Sequence, residues 1–278
     1  MNKLFIPLLA LLLTVGCREQ QVSTANTHEP LTIEAIEREM LDLIAQEREL
    51  GWGDTFEQKH ALQDSIRARF EHHLANRLTF DSEMPNLEEE VYIEKTSDGE
   101  LKFYSLWLSG GGITVEPMNF VQWIDRNGDC RCVQLWETIR YPRAICGVWD
   151  FEVGGSRYVA IKSYLCVANG CWGYYLDIVK IISGFVYHYP QFFPEGVGGI
   201  TTYEECFAYN KRGEYINYGF MEAGHIRVCS TWLWNSNIDF DFDPETLTVT
   251  VWDDADTEDN RTGATTKSTW KLNIPKTN

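Results

Sequence analysis

The sequence predicts an α+β protein, with helices at its N-terminal side and a mostly antiparallel β domain after them. Three observations carry this. Between residues 31 and 80, apolar residues recur at three- and four-residue steps, the period of helices buried along one face. From residue 91 onward the period falls to two, and turn residues separate short apolar runs. The two patterns do not interleave, so helices and strands are segregated rather than alternating as in a parallel α/β sheet.

Composition bounds the reading further. The 278 residues carry 41 acidic and 24 basic side chains, a formal charge of −17 that repels phosphate backbones and argues against a nucleic-acid partner. Aromatic residues make up 13% of the chain and include ten tryptophans, ample material for a packed core and unlike a disordered chain.

The first helix starts after Thr32, a good N-cap, and places Ile33, Ile36, Met40, Leu43, Ile44 and Leu50 on one face. Glu37, Glu39, Asp42 and Glu47 fall between them and are expected to face water. Gly51-Trp52-Gly53 stops this helix, and Asp54 or Thr55 can cap the next. Leu62, Ile66, Phe70, Leu74 and Leu78 then form a line at steps of four. So short a connection implies an antiparallel helical hairpin over residues 31–80. His60, His72 and His73 read as solvated helix positions, since adjacent residues point about 100° apart and cannot share a metal. Residues 81–90, with Pro85, Asn86 and an acidic run, mark the boundary, and the β domain spans residues 88–278.

Each strand pair is announced by its turn. Ser97-Asp98-Gly99 joins residues 91–96 to 100–106; a three-residue loop with Gly99 left-handed sets Glu94 opposite Lys102 and avoids facing Lys95 with Lys102. Asn127-Gly128, between residues 120–125 and 130–136, has the chemistry of a type I′ turn, and both faces of that hairpin are apolar, so it belongs between layers. Gly154-Gly155, Asn210-Lys211-Arg212-Gly213 and Asn235-Ser236-Asn237 punctuate later hairpins, and Asp243-Pro244-Glu245-Thr246 leads into another run. Residues 183–202 read as a long loop whose aromatics, Phe192 and Phe193 among them, could line a groove. A sandwich or barrel accommodates such a meander; a propeller is disfavoured because no repeat of fixed period emerges.

The chain begins with Lys3, an apolar run over residues 4–15 and then Val15-Gly16-Cys17. The run is too short for a membrane span and suits a signal peptide. Its end resembles the lipobox of bacterial lipoproteins, in which the cysteine thiol is lipidated and the chain is cleaved before it. The resemblance implies a signal peptide over residues 1–16, a lipid such as palmitate on Cys17, and a membrane partner held through that lipid. Residues 17–30 are polar and read as a flexible tether. Arg18, rather than the Asp that marks inner-membrane retention, implies the outer membrane, periplasmic or surface-facing. Asp98-Gly99 followed by Tyr104-Ser105, after the lipobox and helical hairpin, resembles outer-membrane-type lipoproteins and implies location and fold without any catalytic residue.

Setting Cys17 aside leaves Cys130, Cys132, Cys146, Cys166, Cys171, Cys206 and Cys229, an odd number, so disulfides cannot pair them all within one chain. An exported compartment permits disulfides, and a four-residue loop would set Cys166 opposite Cys171 across a hairpin. Ser109-Gly110-Gly111-Gly112 lacks the Gly-Lys-Ser/Thr of a phosphate loop, and no serine-hydrolase elbow or zinc spacing occurs. Asp125 to Asp129 resembles a calcium loop only at its start, Asp239, Asp241 and Asp243 alternate as on a strand with one wet face, and residues 253–259 read as a solvated acidic loop. His225 could meet Cys206 or Cys229. No catalytic residue, cofactor or metal is expected. Trp232 and Trp234 share one strand face and, with Tyr187 and Tyr189, form a candidate platform for a glycan or an envelope protein. The reading is a non-catalytic binding or envelope-interaction module; a glycan-directed hydrolase, which needs two carboxylates ~5–10 Å apart, is the alternative. Replacing Cys17 with Ser is expected to abolish palmitate labelling and move the protein from the detergent phase to the aqueous phase on partition.

Overall fold

The computed structural model describes residues 31–50, 56–108, 116–135, 143–167, 171–182, 185–193, 219–222, 225–231, 238–253 and 266–274. Cys17, Cys206, Trp232 and Trp234 lie outside these, as do the turns at residues 210–213 and 235–237. Thr32 onward forms one compact unit.

Helix α1 (Ile33–Glu49) starts as expected, with Thr32 Oγ1 accepting from Ala35 N at 3.2 Å. Its Ile36, Met40 and Ile44 pack with Ile66, Phe70 and Leu74 of α2 (Phe56–Leu74), all six buried. Glu39 meets Arg69 and His73, while Gln63 reaches Glu47, so the helices run antiparallel. The apolar line of α2 ends sooner than its spacing suggests. Asn76 Oδ1 accepts from Leu78 N at 3.0 Å and caps a separate helix α3 (Arg77–Asp81), which turns Leu78 outward.

Three positions expected in water, Glu37, Glu47 and His73, are buried, Glu47 fully and within reach of Gln63. The Glu37 carboxylate accepts from Asn86 N (2.8 Å), Asn86 Nδ2 (2.8 Å) and Leu87 N (2.9 Å), sealing the first turn of α4 (Pro85–Glu88). His73 is 3% exposed, with Nε2 3.1 Å from Glu39 Oε2. None of these partners is visible from helical periodicity.

Strands β1 (Val91–Lys95), β2 (Leu101–Leu108), β3 (Glu116–Ile124) and β4 (Cys130–Leu135) form a four-stranded sheet in that order. The second sheet takes β5 (Ala144–Val153), β6 (Ser156–Val167), β7 (Cys171–Ile182), β10 (His225–Thr231) and β9 (Gly219–Glu222), with β8 (Phe185–His188) also pairing to β7. The third is β11 (Ile238–Asp243), β12 (Thr248–Asp253) and β13 (Thr266–Lys271). The described pairings are antiparallel and the sheets are open, so the β domain is stacked rather than closed into a barrel.

Three apolar clusters glue four layers. Phe70, Tyr104, Leu106 and Phe120 join the helices to the first sheet. Leu101, Phe103, Val121, Val159 and Ile161 join that sheet to the second. Phe151, Leu176, Ile178, Phe240 and Phe242 join the second to the third. Each fully buried side chain of this size contributes ~1.5–3 kcal/mol. Residues 183–202 depart from the expected loop: they contain β8 and a 3₁₀ turn, Pro190–Phe192, and Phe192 and Phe193 are core residues of the last cluster.

Three registers differ by one residue from the sequence reading. Lys95 does face Lys102, although Gly99 is left-handed as expected (φ 74°). The repulsion is answered locally: Lys102 Nζ donates to Thr79 O (2.9 Å) and Ser82 O (2.8 Å), while Lys95 Nζ sits 4.4 Å from the Phe80 ring centroid. Trp123 faces Arg131, not the position a two-residue turn would select. Asp125 Oδ1 accepts from Asn127 N (2.8 Å) and Asp129 N (3.1 Å), and of the turn residues Gly128 alone has positive φ, so a three-residue loop replaces the type I′ turn. Finally, Cys166 pairs with Trp172 and Cys171 with Val167, so the two cysteines are not the directly opposed pair expected. Gly154 and Gly155, by contrast, both have positive φ (58° and 70°) and do form a type I′ hairpin.

Burial pulls the His73 imidazole below its ordinary range despite Glu39 beside it. The unfolded chain binds a proton that the folded chain resists, so stability is present above the unfolded pKa and is lost as pH falls through it. Accordingly, the urea midpoint should drop between about pH 7 and 5, and His73→Gln should flatten that drop.

Candidate functional site

In a meander every second turn falls at the same end. The turns after β1, β3 and β5 therefore gather at one edge of the two larger sheets, and between them lies a groove of about 820 Å³. Its apolar surface includes Leu101, Trp123, Val159 and Ile181 of the inter-sheet cluster, with Phe80, Ile124 and Ile182 beside them. Trp123 is half-buried there, because strand alternation turns it toward the second sheet while its neighbour Gln122 turns toward the helices.

Polar groups ring this surface. Arg157 projects from β6 across to the first turn, donating to Asp98 Oδ1 (2.6 Å) and Thr96 Oγ1 (3.1 Å) and pairing with Glu100. Asp150 accepts from Ser97 N (2.7 Å) and Ser97 Oγ (2.9 Å), a second tie between the sheets. Arg126, at the tip of the second turn, is exposed and lines the opening. Glu100 is the one carboxylate residue of the described lining, and Arg157 holds it.

A smaller pocket of about 320 Å³ is walled by Trp107, Cys146, Tyr164 and Tyr174. Burial pushes the Cys146 thiol up to about 12, so it stays protonated and is a poor nucleophile. Cys130 and Cys132 are likewise free thiols held protonated by burial.

Tyr187 is 49% exposed on β8, whereas Tyr189 packs edge-on against Tyr158 with centroids 5.0 Å apart. Trp232 and Trp234, the other members of the expected platform, lie outside the described residues. His225 and Cys229 stand four residues apart on β10, and Cys206 lies outside the described residues. Asp125 is occupied by its own loop and by Arg131 (2.9 Å), and Asp239 by Lys162 (2.6 Å). Among the described residues, no group of three or more His, Cys, Asp or Glu is placed to hold a metal.

Trp123, Arg126 and Arg157 do not stand out as site residues in the sequence. The signal they do carry is positional: turns at Gly99, Gly128 and Gly154-Gly155 alternate with the strands and share an end once the sheets stack. Compared with protein families, curated proteins and solved structures, the chain matches none.

Because Arg157 ties the two sheets at the groove edge, Arg157→Gln should lower stability by about 1 kcal/mol, the partly exposed pairs being discounted for screening. A lower urea midpoint at unchanged slope checks this.

Proposed function

We propose that the protein is a non-catalytic binding module of the bacterial envelope, held at the outer membrane by a lipid on Cys17. Its ligand is a glycan or other envelope polymer received in the inter-sheet groove. One observation carries the reading: a half-buried tryptophan, Trp123, lies in an open groove beside Arg126, Glu100 and Arg157. An indole face offers apolar area for a sugar ring, and the flanking charged groups supply directional hydrogen bonds. The groove does not favour the hydrolase alternative, because its described lining holds one carboxylate, Glu100, paired with Arg157, where a glycosidase needs two.

A screen of glycans and peptidoglycan fragments against the chain from residue 17 onward, carrying Cys17→Ser, tests this. Saturable binding without turnover is expected, and Trp123→Ala should weaken it by about tenfold or more. Arg126→Ala, at an exposed turn tip, should weaken it with no change in the urea midpoint. Release of product from any bound glycan would replace the reading with the hydrolase.

A further inference from the structure

We propose that the smaller pocket, walled by Trp107, Cys146, Tyr164 and Tyr174, is an aromatic cage for a small organic cation of the quaternary-ammonium class. Its walls come from two sheets. Trp107 continues the row of β2 side chains that faces the second sheet, and Tyr164 of β6 lies directly opposite Tyr174 of β7. The three rings follow one another at centroid distances of 5.3 and 5.2 Å, tilted by 40° and then 51°, so they line a cavity instead of stacking flat. A β-bulge supplies the fourth wall. Ile145 pairs with Ser163 and Gly147 with Lys162, which leaves Cys146 unpaired between them and turned into the pocket. A Cβ at Gly147 would lie 2.9 Å from Trp149 Cη2 and 3.2 Å from Lys162 Cβ, so glycine is what admits the Trp149 indole over the bulge.

Charge and lining select the ligand class. Ring faces attract a cation within ~6 Å of the centroid, Trp most strongly. This aromatic cluster already receives one: Lys162 Nζ lies 4.8 Å from the Tyr174 centroid and 4.9 Å from that of Phe240. Asp239, at 2.6 Å, matches that ammonium, and among the described residues no cation pairs with the half-buried Glu94 nearby. Burial pushes the Tyr174 phenol up to about 12, with Asp239 adding to it. Burial does the same to Cys146, where Lys162 pulls down while Asp239 and Glu94 push up. Neutral walls thus face two carboxylates against one ammonium, on a chain whose net charge of −17 draws cations toward it. A sugar would find no carboxylate, amide or guanidinium in the described lining to orient its hydroxyls. The inference rests on neither the groove ligand nor the lipid anchor.

Calorimetric titration of the chain from residue 17 onward, carrying Cys17→Ser, with choline and with its neutral isostere 3,3-dimethylbutan-1-ol tests this. Saturable choline binding is expected, with the isostere weaker by about tenfold or more. That comparison leaves the pocket walls intact, so the folding of a variant does not enter it. Trp107→Ala should weaken choline binding by about tenfold or more and Trp107→Phe by less. Trp123→Ala, in the groove between the larger sheets, should leave it unchanged, which keeps the two sites distinguishable. Equal affinity for choline and the isostere overturns the proposal, leaving an apolar pocket only. So does the absence of choline binding at millimolar concentration, or choline binding that Trp107→Ala leaves intact. Saturable glucose binding lost in Trp107→Ala would assign the pocket to a sugar instead.

Discussion

The four-stranded sheet β1–β4 has no wet face, and that constraint sets the order of the layers. Along β2, alternate residues bury toward the helices (Lys102, Tyr104, Leu106) and toward the second sheet (Leu101, Phe103, Ser105). A sheet apolar on both sides must be covered twice. The helices cover one side, and β5–β7 cover the other. The second sheet inherits the same requirement through Phe151, Leu176 and Ile178, and the third sheet meets it.

Buried polar groups on this sheet work as seals. Tyr104 Oη donates to Gln122 Oε1 (2.7 Å), and Gln122 Nε2 donates to Leu74 O (2.5 Å) and Thr79 Oγ1 (2.9 Å). With Lys102 on Thr79 O and Ser82 O, sheet side chains satisfy carbonyls at the ends of α2 and α3 that would otherwise be orphaned. A buried carbonyl without a partner costs ~1–3 kcal/mol. Burial draws Lys102 down to about 8, so its charge is held there against desolvation. On the opposite face, Asn119 Oδ1 and Ser105 Oγ accept from Ile145 N at 3.0 Å each, and Asn119 Nδ2 donates to Arg143 O at 2.6 Å, joining the two sheets by hydrogen bonds as well as packing.

Periodicity alone makes the helices, the segregation of elements and the double burial of the β3–β4 hairpin legible in the sequence. It fails where a side chain bonds to distant or local backbone. Asp125 resets a hairpin register through two backbone N–H groups, a local competition that the Asn-Gly pair conceals. Lys102 sits opposite Lys95 because helix carbonyls twenty or more residues away in sequence receive it. Glu37 and His73 look solvated because charge predicts exposure unless a partner is known, and Glu37's partners lie 49 and 50 residues on. The groove is hidden for a different reason. It belongs to no segment and exists only once three turns are stacked at one end.

The acidity of the chain gains meaning from where its cations are placed. Lys102 caps helix carbonyls, Arg143 pairs with Asp177 in the inter-sheet core (3.0 Å), Arg157 ties the first turn to the second sheet, and Lys162 binds Asp239. Three of these four cations are matched by carboxylates and leave the surface balance unchanged, whereas Lys102 is drawn to carbonyls and leaves the solvent face slightly more negative than composition alone conveys. Arg126 and Lys180 both border the groove between the two larger sheets, outside those interior ties.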